Sequence, residues 1–235
     1  ASGDGVAAVA LMDALKIPGD LRAVILDMDG VVIDGMPYHQ RAWKEAFATA
    51  GIEVTDTDIY LKEGMDQMET VVQISREKGV SLSNQDMNKV IALKNRILNS
   101  IFKIRLIPGS TKFISRLKGL GFRLALVTGT EKNVVERVLR EEAALKGIFN
   151  VVVTAETVKR KKPDPEPYLK AVELLGIEKG HCLVIENSPA GIASAKRAGL
   201  TCLALTTSLP ENYLREADYI FHSLEEVLKL FNQEV

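Results

Sequence analysis

Cysteine, aromatic residues and long apolar runs are all scarce in this chain, and charge of neither sign is in excess. Only Cys182 and Cys202 occur among 235 residues, and both sit inside apolar runs, so a disulfide framework does not fit and buried reduced thiols are expected. Thirty basic residues face thirty-one acidic ones, a net charge of −1 with a pI near 6.4. That balance offers no electrostatic footprint for nucleic acid or an anionic membrane surface, and a small metabolite is the better-supported partner. The apolar stretch Val6–Leu15 is broken by Asp13, has no basic leader and is too short to span a bilayer. It reads as a short amphipathic helix in an N-terminal extension over residues 1–20, and the cytosol is the expected compartment. Internal repeats and low-complexity tracts are missing as well, while 46% hydrophobic content suffices to bury a sizeable core.

What is present is a set of strand-like apolar runs at Ala23–Leu26, Leu124–Val127, Val151–Val153, Cys182–Ile185, Cys202–Leu205 and Tyr219–Phe221, separated by helix-like segments. Continuous apolar character argues for strands covered on both faces, and strand–helix alternation argues for a parallel sheet with right-handed crossovers. The predicted fold is therefore α/β, a doubly wound parallel sheet. The interval between the first two strands is far longer than one crossover helix requires. Helical spacing over Pro37–Thr49, Met68–Ile74 and Met87–Ile101 predicts an inserted α-helical cap, residues 37–105, on a core formed by 21–36 and 106–235. Gly and Pro in Asp34–Pro37 and in Ile104–Gly109 mark two hinges. The cap is expected over the carboxyl edge of the sheet, where open α/β folds bind ligands.

Chemistry collects at the strand ends. Val24 to Gly30 sends an apolar strand into Asp27 and Asp29, two carboxylates on one side of the chain. Close carboxylates suit a hard metal, an acid/base pair, or a nucleophile beside a proton carrier. Val127-Thr128-Gly129-Thr130, just before a helix near Glu131, forms an anion seat: the Thr128 hydroxyl, the Gly129 amide and the positive helix end can meet phosphoryl oxygens. Lys162, directly before Pro163, is the candidate fixed cation, because Pro163 and Pro165 are expected to hold that segment extended. The run ending in Glu186-Asn187 offers a carboxylate and an amide oxygen to a hard cation. His39 is a candidate substrate contact that couples cap closure to the site.

Taken in order, Asp27-Met28-Asp29-Gly30, Thr128, Lys162 and Glu186-Asn187 resemble the motifs of the haloacid dehalogenase-like hydrolase superfamily. Further stretches, Asp29 to Asp34, Tyr38-His39, Arg41-Ala42-Trp43, Lys162 to Pro165 and Ser188 to Gly191, resemble its β-phosphoglucomutase and phosphoglycolate phosphatase branch, which carries a helical cap. The resemblance implies a Rossmann-like core and a phosphatase of small phosphorylated metabolites in which Asp27 attacks phosphorus to form an aspartyl-phosphate. Asp29 would protonate the leaving oxygen and then activate water. Mg²⁺ would bridge Asp27, the backbone carbonyl of Asp29 and the Glu186-Asn187 pair, while Thr128 and Lys162 hold the phosphoryl oxygens.

The chain departs from that pattern twice. Asn187 stands where many members carry a second acid, which removes a negative charge from the metal site. In the cap, Leu61 to Gln67 offers Glu63 and Gln67 where the mutases place basic residues for a second phosphate. A phosphosugar mutase is the alternative reading, and a non-enzymatic phosphorylatable switch of the receiver type is a third. Asp29 argues against dehalogenation, which needs no proton carrier there.

Overall fold

The computed structural model describes residues 19–231, so the helix expected in Val6–Leu15 lies outside the described residues. Six strands form one parallel sheet: β1 (Ala23–Leu26), β2 (Arg123–Val127), β3 (Val151–Val153), β4 (Cys182–Glu186), β5 (Thr201–Leu205) and β6 (Tyr219–Phe221). Their order is β3-β2-β1-β4-β5-β6. Every expected strand is present, three of them one residue longer at one end.

Between β1 and β2 the chain inserts α1 (Met36–Ala48), α2 (Asp56–Tyr60), α3 (Gln67–Glu77) and α4 (Asn84–Ile101). The five-residue α2 escaped the helical periodicity because it is barely one turn long. Its signal is local: the Thr55 hydroxyl accepts from Asp58 N while the Asp58 carboxylate accepts from Thr55 N. In α3 the Asp66 carboxylate accepts from the amides of Met68 and Glu69 at 2.9 and 3.2 Å, stopping the helix from unwinding toward the site. The insertion has an apolar cluster of its own, built from Trp43, Phe47, Ile52, Ile59, Val71, Ile74 and Val90. Its two connections run side by side: Asp34 N donates to Arg105 O and Ile107 N to Val32 O.

The remaining helices, α5 (Ser110–Gly119), α6 (Lys132–Glu141), α7 (Glu166–Leu175), α8 (Pro189–Arg197) and α9 (Leu224–Leu228), cover both faces of the sheet. Alternation along β1 divides the core. Val24 and Leu26 pack with Phe113, Leu117, Val135 and Val138 of α5 and α6, while Ala23 and Ile25 pack with Tyr168, Ala171, Ile192 and Ala195 of α7 and α8. Phe113 is fully buried and meets Phe231 edge to face, 5.8 Å between centroids; truncation to Ala would cost about 3–5 kcal/mol. Both cysteines are buried and free, as their apolar settings suggested.

The strand order fixes where chemistry can occur. The chain steps outward from β1 through β2 to β3, then crosses back to β4 on the other side of β1, so the carboxyl end of β1 is the switch point where the crossovers diverge and a crevice opens. Leu26 pairs with Leu126 of β2 and with Ile185 of β4. That register brings Asp27 and Glu186 out at one level, with Thr128 one residue beyond.

Candidate active site

At that edge Asp27, Lys162 and Glu186 form a buried ion-paired triad. Lys162 Nζ donates to Asp27 Oδ1 at 2.5 Å, to Glu186 Oε1 at 2.7 Å and to Val127 O at 3.2 Å. Burial works against the ammonium, yet the two carboxylates more than compensate and hold Lys162 protonated well above its ordinary range. Burial, aided by Glu186 and Asp29, pushes Asp27 upward, and Lys162 opposes that push. The net effect is a pKa raised to about 8, with Lys162 holding it from going higher.

Glu186, expected as a metal ligand, has both carboxylate oxygens engaged by protein donors. Its Oε1 also accepts from the Tyr168 hydroxyl at 2.8 Å, and its Oε2 accepts from Asn187 N, Ser188 N and the Ser188 hydroxyl at 2.8, 3.0 and 3.1 Å. Burial alone would raise its pKa, but Lys162 and these donors hold it below the usual carboxylate range. With both oxygens engaged, it is an anchor that positions Lys162. The Pro163–Pro165 segment also differs from expectation, since Pro165 adopts helical dihedrals as the N-cap of α7 and the Lys162–Pro163 peptide bond is cis.

Asp29 sits in separate surroundings. Its Oδ2 accepts from the Thr130 hydroxyl at 2.9 Å, while its Oδ1 is buried without a hydrogen-bond partner, 3.6 Å from the equally unpartnered His39 Nε2. Burial raises its pKa to about 6, with the Thr130 hydroxyl, Lys94 and Lys162 holding it from going higher. A carboxyl near 6 can give a proton and take one back at neutral pH. His39 is neutral, its pKa lowered to about 3 by burial and by Lys94, so its approach to Asp29 is a dipolar contact rather than an ion pair. Thr130, expected at a phosphate, is committed through its hydroxyl to Asp29. The Thr128 hydroxyl oxygen accepts from Thr130 N at 3.0 Å, leaving its own hydrogen to donate.

No group of three or more His, Cys, Asp and Glu side chains forms a metal cage among the described residues, and position 187 carries an amide, Asn187. Its Nδ2 donates to Ser208 Oγ at 2.9 Å, whereas Oδ1 is buried and unpartnered. The buried, unpartnered oxygens Asn187 Oδ1 and Asp29 Oδ1 are hard donors, which suit Mg²⁺ better than a soft metal.

The insertion closes over this edge. A Cβ on Gly129 would lie 3.0 Å from Gly64 O, and one on Gly64 would lie 2.9 Å from Lys162 Cδ, so two glycines form the seam. The Asn95 amide donates to the Glu131 carboxylate across it at 3.1 Å. Under the seam is a cavity of about 50 Å³, room for a few waters. Its wall includes His39, Glu63, Gln67, Lys94, Gly129 and Thr130.

Two aspartates, a buried lysine and a threonine hydroxyl thus stand together at one strand edge under a helical insertion. Across residues 21–199 the sequence matches the haloacid dehalogenase-like hydrolases. The chain belongs to that family. Validoxylamine A 7'-phosphate phosphatase of Streptomyces hygroscopicus subsp. limoneus is 28% identical over 88% of this chain and 95% of its own length. Hexitol phosphatase A of Escherichia coli is 27% identical over 88% of this chain and 93% of its own. Among solved structures, a Bacteroides vulgatus protein assigned as a β-phosphoglucomutase superposes with a TM-score of 0.81 at 31% identity, covering 97% of this chain and 96% of its own. The family resemblance seen in the sequence, and the α/β fold with it, are thereby established. Among the described residues no helix is long and apolar enough to cross a membrane.

Sequence reasoning left Tyr168, Ser188, Ser208 and Lys94 unassigned. Ser188 carried a signal as the N-cap before Pro189. The other three lie in helices or loops where nothing in the local pattern distinguishes a site residue from a core or surface one.

Proposed function

We propose that the chain is a Mg²⁺-dependent phosphatase of small phosphorylated metabolites that works through an aspartyl-phosphate on Asp27. The observation that carries this reading is the division of surroundings between two neighbouring carboxylates: Asp27 is paired to Lys162, and Asp29 is held near pH 6 without a cation in contact. An Asp27 oxygen attacks phosphorus as the ester P–O bond breaks, and Asp29 gives its proton to the departing oxygen. Asp29, now ionised, takes a proton from water. The resulting hydroxide attacks phosphorus, the bond to Asp27 breaks and inorganic phosphate leaves. Thr128, the Gly129 amide and Lys162 hold the phosphoryl oxygens during transfer.

Asp27, the Asp29 backbone carbonyl and Asn187 Oδ1 would hold Mg²⁺, which when bound screens charge on the transferring group. The names of the relatives, two of them phosphatases of phosphorylated polyols and cyclitols, support the substrate class. A mutase reading is invited by the Bacteroides vulgatus neighbour; it would need a seat for a second phosphate, and of the two lysines on the cavity wall Lys62 is already bound to Glu77. Phosphate release from a panel of phosphorylated sugars, polyols and short acids, with and without Mg²⁺, tests the reading. Metal-dependent release that disappears in Asp27→Asn is expected, and full turnover in that variant would overturn it.

A further inference from the structure

The loop after β5 reaches the catalytic edge from a third strand. β5 runs parallel to β4 with Ala204 opposite Glu186, so the residues just past Leu205 emerge beside Asn187. Thr206 N donates to Phe221 O at 3.0 Å, and Leu209 is buried in the apolar cluster that contains Tyr168. The Thr207–Ser208 turn is thereby pinned at both ends. From it the Thr207 hydroxyl donates to Gly30 O at 2.6 Å, and Ser208 Oγ accepts from Asn187 Nδ2 at 2.9 Å. One loop thus holds both the turn that follows Asp29 and the amide at position 187.

The amide is tightly enclosed. A Cβ on Gly30, whose φ is +89°, would lie 2.1 Å from Asn187 Nδ2 and 3.0 Å from Ser208 Oγ, so the amide nitrogen rests against backbone that only glycine leaves open. Asn187 is fully buried, and with Nδ2 engaged its Oδ1 is the atom left without a partner. A buried acceptor with no donor costs free energy that a positively charged ligand would recover.

An amide differs from an acid in symmetry. A carboxylate presents an oxygen to a cation in either of its two orientations, whereas an amide does so in one and in the other turns its N–H groups toward the charge. With Asn at position 187, cation binding therefore depends on what sets the amide. A cation at Oδ1 and a Ser208 hydroxyl accepting from Nδ2 require the same orientation, so each favours the other.

We propose that Ser208 is a positioning residue that fixes the Asn187 amide with its oxygen free for the divalent cation, acting on the metal only through Asn187. This rests on the Mg²⁺ assignment within the phosphatase reading and extends it to a residue outside the donor set.

The test is calorimetric titration with Mg²⁺, without substrate, of four chains: the unsubstituted protein, Ser208→Ala, Asn187→Asp and the double variant. Ser208→Ala is expected to weaken Mg²⁺ binding about tenfold where Asn187 is present, the scale of losing a group that orients a ligand. In the Asn187→Asp background the same substitution should change the affinity less than about twofold, because either carboxylate oxygen can serve. Ser208→Thr, which keeps the hydroxyl, should retain most of the affinity. Unchanged affinity in Ser208→Ala overturns the proposal, as does an equal loss in both backgrounds, which would mark a general role of the loop in folding. Failure of the unsubstituted chain to bind Mg²⁺ overturns it as well. Turnover is judged separately: a chain that shows this coupling but releases phosphate from no ester would remove the phosphatase reading and keep the role of Ser208, and metal-dependent release without the coupling would do the reverse.

Discussion

Lys162 Nζ lies 2.5 Å from Asp27 Oδ1, so the cation reaches the strand-end carboxylate from a loop 135 residues further along the chain. Glu186 holds the other side of the ammonium and is itself fixed by Tyr168 and by the amides opening α8. Replacing Lys162 by Met leaves two buried acids without a counter-charge, which favours their protonation and removes the nucleophile's anionic form. Turnover is expected to fall by about 10²–10³-fold, the scale of losing one preorganised charge in a closed site. Steady-state phosphate release at saturating Mg²⁺ checks it, and retention of more than a tenth of the activity would contradict the role.

Asp29→Asn should separate the two half-reactions. A substrate with a poor leaving group needs the proton and should slow by roughly 10²–10⁴-fold, whereas acetyl phosphate should still load Asp27. Because water activation also fails, the phosphorylated chain accumulates, and intact-protein mass spectrometry reads the added phosphoryl group.

Asn187→Asp restores an acid beside the orphaned amide position, and the Ser208 hydroxyl can turn to donate to it. The Mg²⁺ concentration for half-maximal activity should fall by about tenfold, within the range seen when groups around a metal are altered. An unchanged metal requirement would exclude Asn187 from the coordination shell.

Gly129→Val places a branched side chain where even a Cβ would meet Gly64 O at 3.0 Å. The insertion could not seat, water would reach the site, and kcat/KM should drop at least tenfold while the melting temperature changes little. Small-angle scattering would register a more open shape.

His39 gives a pH dependence of stability. Its folded pKa is lowered from 6.5 to about 3 by burial and by Lys94, so between those values the unfolded chain binds a proton that the folded chain does not. The neutral imidazole's contribution is complete above pH 6.5 and is lost as pH falls toward 3, by at most about 1.4 kcal/mol per pH unit. Urea denaturation from pH 7 to 4.5 should show a steeper loss for the unsubstituted chain than for His39→Gln.

The relation of sequence to structure differs from element to element. All six strands were legible because a parallel sheet buries both faces and writes continuous apolar runs, whereas α2 was missed because five residues cannot display a helical period. Asp27 and Asp29 could be read from one strand end. Glu186 could be found in the same way but not understood: its neighbours in sequence suggested oxygen ligation, and only the approach of Lys162 and Tyr168 made it an anchor. Thr130 moved from the phosphate to Asp29 for a similar reason, since its hydroxyl direction depends on a residue 101 positions away.

The sequence by itself determined the sheet, the insertion of helices after β1 and the identity of the groups at the strand ends, because those follow from local periodicity and from the chemistry of residue types. The tertiary structure decided which charges are compensated and which are left facing the cavity. Asp27 owes its counter-ion, Asp29 its isolation, and Glu63, Gln67 and Lys94 their shared wall to contacts between segments far apart in the chain. Pairing and desolvation depend on distance in space, which spacing along the sequence does not encode.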